Sequence, residues 1–229
     1  PLRLWGWRLD KIPYWNALLF FIGSICFCFA SAAAYANLPS VSDKLFAAYV
    51  GWPSFTGSVC FTIGSYLQVL EVLNAPAAPE QLMQKHPDAP KPRWQWIGWQ
   101  PHRLDFVIAM IQQASTVGAL IFNVNTLMGS GAFSWGPRGL YWAVWFPDIM
   151  ASCCFVAAGY LGLVEYIHAW WAWRPSDPIW WLNMSNFAGG VGFLLNALFG
   201  IAWLDPSLAY ERGTVFLWLL LGSICFQVR

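Results

Sequence analysis

The chain has 229 residues, of which 58% are hydrophobic and only 10% charged, with a net charge of +1. Soluble domains carry about 25% charged residues, so water is not the main solvent of this chain. The near-neutral balance gives no basic footprint for nucleic acid.

Charges fall in clusters between long uncharged runs. None occurs from Ile12 to Ser42, Leu45 to Leu70, Phe106 to Pro137, Pro178 to Leu204 or Gly213 to Val228, and between Gly139 and Val164 the only one is Asp148. A membrane-spanning helix needs about 20 apolar residues, and regular helices suit lipid because they satisfy their backbone groups internally. Six spans are expected near 15–36, 53–74, 104–128, 147–169, 179–203 and 212–229. The fold class is an all-α membrane protein: one transmembrane domain over 1–229, with helix pairs at about 15–74, 104–169 and 179–229. Both ends read as incomplete, since the chain begins with Pro1 and the last span stops short at Arg229.

The first expected helix carries "GSICF" at 23–27, and the second carries "GSVCF" at 57–61. The fourth has "ASCCF" at 151–155, and the sixth repeats "GSICF" at 222–226. At an offset of 94, Ser58, Cys60, Phe61, Tyr66, Leu67 and Glu71 meet identical residues up to Glu165. At an offset of 74, Trp96–Leu127 lies ungapped over Trp170–Ile201. The N-terminus joins at an offset of 166, where Trp5, Trp7, Arg8, Trp15, Phe21, Gly23 and Phe27 find matches. Self-similarity at a fixed period implies a repeated unit. Each copy is a pair of helices that goes out and returns, so three parallel pairs are expected about an axis along the membrane normal.

Small residues let helix backbones approach where lipid offers no hydrophobic drive for association. Gly23, Gly57, Gly64, Gly118, Gly189 and Gly192 are the packing candidates, with the Phe after each Cys filling the neighbouring groove. Cys26, Cys28, Cys60, Cys153, Cys154 and Cys225 read as small hydrophobes rather than a metal site or disulfides. Pro53, Pro147 and Pro178 read as helix starts, where proline is tolerated.

The linkers set an orientation. One side holds Arg3, Arg8, Lys11, Lys85, Lys91, Arg93, Arg103 and Arg174, the other Lys44, Arg138 and Arg212. The positive-inside rule puts the richer side, and the N-terminus, in the cytoplasm, with the plasma membrane as the expected location. The segment 75–93 is Pro-rich and reads as an extended surface loop. Trp94, Trp96 and Trp99, and again Trp170, Trp171 and Trp173, fall at helix entries. Tryptophan favours that depth, so an interfacial belt is expected.

Candidate ligand or ion residues are few. Glu71 and Glu165 close the second and fourth helices, each five residues after a tyrosine, Tyr66 or Tyr160. An acid within a span is a functional hypothesis by default, while its structural reading is pairing with Arg103 or Arg174, or with the Trp99 or Trp173 indole. Glu165-Tyr-Ile-His168 has the spacing of di-metal helix bundles, but the second copy, Glu71 to Asn74, lacks the histidine. Asn123, Asn125, Asn183, Asn186, Asn196, Gln112 and Gln113 either bond between helices or line a polar path.

Four stretches carry a family resemblance: "WQPHRLDFVIAMIQQASTVGALIFNVNTL" (99–127), "FPDIMASCCFVAAGYLGLVE" (146–165), "WAWRPSDPIWWLNMSNFAGGVGFLLNA" (171–197) and "GTVFLWLLLGSICF" (213–226). They resemble an uncharacterised multi-pass membrane family of bacteria and fungi with YrhK-like domains. Ser115 stands where that family would usually place glycine. The resemblance implies a six-helix membrane fold whose last helix continues past Arg229, and it implies no activity.

No catalytic set is legible, and no metal or cofactor is expected. The leading functional expectation is a non-enzymatic scaffold or accessory subunit that holds lipid or a small hydrophobic ligand. Its partners would be membrane lipids, a second copy or another membrane protein. The alternative is a small transporter or channel built on the Asn/Gln set with Glu71 and Glu165. A lipid-modifying enzyme using His102, Asp105, Glu165 and His168 has the weakest support.

Overall fold

The structure is a computed structural model that describes residues 10–36, 43–75, 94–129, 139, 141–202 and 212–227, without the side chains of 43, 125–129, 202 and 212–215. The Pro-rich loop, the N-terminal repeat residues Trp5, Trp7 and Arg8, the Arg138 loop and the Asn125 side chain lie outside the described residues. Six long helices follow one another: α1 (Ile12–Tyr35), α2 (Trp52–Asn74), α3 (Leu104–Gly129), α4 (Phe146–Ile167), α5 (Pro178–Ala202) and α6 (Arg212–Gln227). Five stretches are long and apolar enough to cross a membrane, namely Ile12–Tyr35, Lys44–Asn74, Leu104–Val124, Tyr141–Ile167 and Pro178–Ile201. In α6 the described apolar stretch is shorter, Phe216–Gln227. The outer surface of the bundle is apolar as well: Phe21, Ile25, Phe29, Ile63, Ile121, Met150, Leu198 and Ile224 are all exposed. Helices apolar on their outer face as well as their inner one suit lipid rather than water.

Each helix packs against its neighbours in sequence, and α6 closes on α1, so the six form a ring. Phe61 on α2, Phe155 on α4 and Phe226 on α6 meet one another, with ring centroids 6.4, 5.7 and 5.6 Å apart. These helices are not neighbours around the ring, so their side chains can meet only at its axis. Phe27 on α1 and Phe193 on α5 complete the cluster at 5.9 Å. The phenylalanine that ends each Cys-Phe motif thus forms the centre of the protein. Edge-on and tilted ring pairs of this kind add about 0.5–1.5 kcal/mol each beyond burial.

The glycines before those phenylalanines make the close approaches. A Cβ on Gly23 would lie 3.0 Å from the Gly57 carbonyl oxygen and against the Phe61 ring, and one on Gly57 would meet the Gly23 oxygen and Phe27. The same exchange recurs between α5 and α6, where Gly189 meets Phe226 and Gly222 meets Phe193. Gly64 faces Phe20, Gly118 faces Ala151, and Gly192 faces the Gly222 backbone. Between α2 and α3 the contact is polar instead. Ser65 Oγ donates to Gln113 Oε1 at 2.7 Å and lies 2.7 Å from Thr116 Oγ1, while Thr62 Oγ1 donates to the Thr116 carbonyl. Gln113 is therefore an interhelical bond, the first of the two roles open to the buried amides.

Pro53 and Pro147 stand at the second positions of α2 and α4, as expected of helix starts, but the helical path begins earlier. Each follows a π-helical turn, Ala47–Gly51 and Tyr141–Trp145, which runs directly into α2 and α4. Proline removes an i→i−4 donor and crowds the preceding turn, and a wider i→i+5 turn lets the helix continue past it. The two turns stand at the 94-residue offset. Pro178 does open its helix: Asp177 Oδ1 accepts from the Ile179 N–H at 3.0 Å, as an N-cap does.

Candidate functional site

A cavity of about 510 Å³ lies among α2, α3, α4 and α5, at the end where α4 finishes and α3 and α5 begin. Small residues on α4 leave the room: Ala158, Gly159 and Gly162 line it, and a Cβ on Gly162 would touch only Asn183 Oδ1, at 3.5 Å. Its polar lining is Gln68, Gln112, Glu165, His168, Asn183 and Asn186. His168 is exposed, so the cavity reaches the surface there.

Two of these amides are incompletely bonded. Gln112 Nε2, a donor, and Asn186 Oδ1, an acceptor, are buried without a hydrogen-bond partner among the described residues. Gln112 as a residue is only 8% exposed. A buried polar group left unmade costs roughly 1–3 kcal/mol. The 74-residue offset pairs Gln112 with Asn186 and Ile108 with Leu182, and all four line this one space. Asn183 behaves differently, for its Nδ2 bonds back to the Ile179 carbonyl.

Glu165 borders the cavity with Asp105 and His168 as its titratable neighbours, and it makes no hydrogen bond or ion pair among the described residues. The arginines expected beside it are engaged elsewhere. Arg103 grips Asp105 through both Nε and Nη2 and donates to Gln100 Oε1. Arg174 Nη2 reaches the Ile167 carbonyl at 3.4 Å. Asp105 wins Arg103 because it lies two residues away on the same turn. Glu71 is half-buried near the end of α2. His168 does not share a helical face with Glu165, because α4 ends at Ile167 and His168 turns into the left-handed region at φ 53°. That cap breaks the i, i+3 geometry a di-metal helix motif needs. Among the described residues no cluster of three or more His, Cys, Asp or Glu side chains is placed to hold a metal, and all six cysteines are free thiols.

Tyr66 and Tyr160 act on the linkers rather than in the cavity, which Tyr166 alone of the three lines. Tyr66 Oη donates to the Trp96 carbonyl at 3.2 Å, and Tyr160 Oη to the Trp170 carbonyl at 3.0 Å. Each pins the chain that leads into the following helix. Trp94, Trp96, Trp99, Trp170, Trp171 and Trp173 are all exposed in those linkers. The Tyr166 hydroxyl donates to Asp177, which holds that carboxyl below the usual carboxylate range and ties the end of α4 to the cap of α5.

Beyond the cavity the phenylalanine centre closes the ring. Phe61, Ala119 and Phe193 lie seven residues deeper than Gln68, Gln112 and Asn186 on their helices, about 10 Å at 1.5 Å per residue. On the far side of that centre stands a residue not singled out as a site from sequence. Asp148 is only 8% exposed, and Asn196 Nδ2 lies 3.5 Å from its Oδ2. The sequence signal was there: Asp148 is the sole charge between Gly139 and Val164. Asn123 is buried on α3, with Nδ2 bonded to the Ala119 carbonyl.

Searches against protein-family models, curated proteins and solved structures return no match.

Proposed function

We propose that this is an integral membrane protein of three parallel helix pairs that binds and passes a small polar solute through the ring. The observation that carries it is the pair of buried, unbonded amide atoms, Gln112 Nε2 and Asn186 Oδ1, in one cavity. A donor and an acceptor held apart in one cavity match a solute that offers both, and Glu165 favours one with a cationic group. The cavity is within the roughly 300–1,000 Å³ of small-molecule sites. Polar groups on both sides of a phenylalanine constriction fit a path gated by dewetting. The repeat reading is supported by the π turns and the paired tyrosines at the 94-residue offset, and by the reciprocal Gly–Phe contacts that α1–α2 and α5–α6 share.

The test compares purified wild type with Gln112→Leu and Asn186→Leu. Each substitution removes an unbonded polar atom, so each variant should unfold at least as high as wild type, by up to about 1–3 kcal/mol. Each should lose the stabilisation that a library of small amines, amides and zwitterions gives the parent. Glu165→Gln should stay folded and lose solute uptake in liposomes. Less stable Leu variants, with no solute stabilising the parent, would return the scaffold reading, in which the amides are structural and any bound molecule is lipid.

The cavity mouth then faces the cytoplasm, as the charge distribution of the linkers argues. In a cysteine-free background, Trp135→Cys should be labelled from outside intact cells and Lys85→Cys should not. The reverse pattern inverts the orientation.

A further inference from the structure

We infer that Asp148 and Asn196 form a second site, on the opposite side of the phenylalanine centre from the cavity, that takes a small dehydrated monovalent cation of the sodium class. Asp148 is a carboxylate buried inside a span, and burying an isolated charge without a partner is strongly unfavourable. Among the described residues no basic side chain pairs with it. The sequence has no Lys, Arg or His from Phe106 to Pro137 on α3, from Pro178 to Leu204 on α5, or from Leu45 to Leu70 on α2. Its one hydrogen-bond partner among the described residues is the Asn196 amide, at the long distance of 3.5 Å.

The second observation comes from Asn196 itself. It is 4% exposed, and its Oδ1 is buried with no hydrogen-bond partner among the described residues. Oδ1 belongs to the same amide as the Nδ2 that lies 3.5 Å from Asp148 Oδ2, so the unbonded oxygen and the carboxylate belong to one buried pair of side chains. The pair thus offers oxygen acceptors, one of them charged, and lacks a positive charge. A cation held by Asp148 and Asn196 Oδ1 removes both deficits at once, and hard cations prefer such oxygens. A single carboxylate matches a single positive charge, which is why the site suits a monovalent ion.

The experiment is thermal unfolding of the whole protein in detergent, with sodium chloride titrated against N-methylglucamine chloride at constant ionic strength. Sodium should raise the wild-type midpoint saturably, by roughly 5–10 °C when it is about 100-fold above its Kd. Asp148→Asn, which keeps shape but not charge, and Asn196→Leu should each abolish the sodium response while remaining folded. An equal response in Asp148→Asn would place the ion elsewhere. A wild type indifferent to sodium but stabilised by acid would mean that Asp148 carries a proton only, and either result overturns the site. Because the readout is ion-dependent stability without any solute, failure here leaves the cavity reading standing, and failure of the cavity reading leaves this one.

Discussion

Phe61→Ala should cost about 3–5 kcal/mol of stability, the usual range for emptying a buried aromatic site. Phe61 is 1% exposed and touches Phe20, Phe27, Phe155 and Phe226, more rings than any other member of the centre. Its neighbours come from α1, α4 and α6, so they cannot collapse into the gap without moving three helices. Phe61→Leu keeps much of the volume and should cost less than about 1.5 kcal/mol. The same pair of variants probes the path. With the plug opened, liposomes carrying Phe61→Ala should leak small polar solutes, and those carrying Phe61→Leu should stay tight. Denaturant unfolding and solute efflux read the two effects separately. A Phe61→Ala protein as stable and as tight as the parent would remove the phenylalanine centre from both roles.

The helices were legible because lipid writes a simple rule. A run without charges and long enough to cross must be helical, and the six expected spans match α1 to α6 within a few residues at the described ends. The Cys-Phe motifs were legible as packing, since Gly and Ser beside Cys argue for close backbones rather than metal ligation. What the motifs left open was where each phenylalanine points. It fills the axis shared by all the helices, a place that no pairwise groove argument identifies. The π turns before Pro53 and Pro147 were hidden for a related reason. Proline near a helix end is compatible both with a start and with a widened turn, and the choice depends on what precedes it. The cavity was half legible. Glu165, His168, Asn183, Asn186 and Gln112 were all noticed, but whether an amide bonds its own backbone, as Asn123 does, or is left unbonded, as at Gln112, depends on the facing helix. Asp148 is legible as a lone charge, but its place in the first turn of α4 is equally that of an ordinary helix-end acid, and only the packing of α5 against it makes it buried.

Gly192→Leu tests the ring at a seam where backbone meets backbone. A Cβ there would lie 2.8 Å from Gly222 Cα and 3.0 Å from Gly222 N, with the Trp218 carbonyl oxygen at 3.1 Å. All three neighbours are backbone of α6, so relief requires the helix itself to move. At Gly64 the tightest contacts are the Phe20 ring at 3.1 Å, a side chain that can turn. Overpacking costs about 1–3 kcal/mol. Gly192→Leu belongs at the upper end or beyond it, and Gly64→Ala at the lower end. The consequence reaches past stability, because α6 also closes on α1. Wedging α5 from α6 opens the ring at one seam and draws Phe226 away from Phe61 and Phe155. Gly192→Leu should therefore unfold at markedly lower temperature than Gly64→Ala and share the solute leak of Phe61→Ala. Equal midpoints for the two glycine variants would mean that the α5–α6 seam is looser than these distances require.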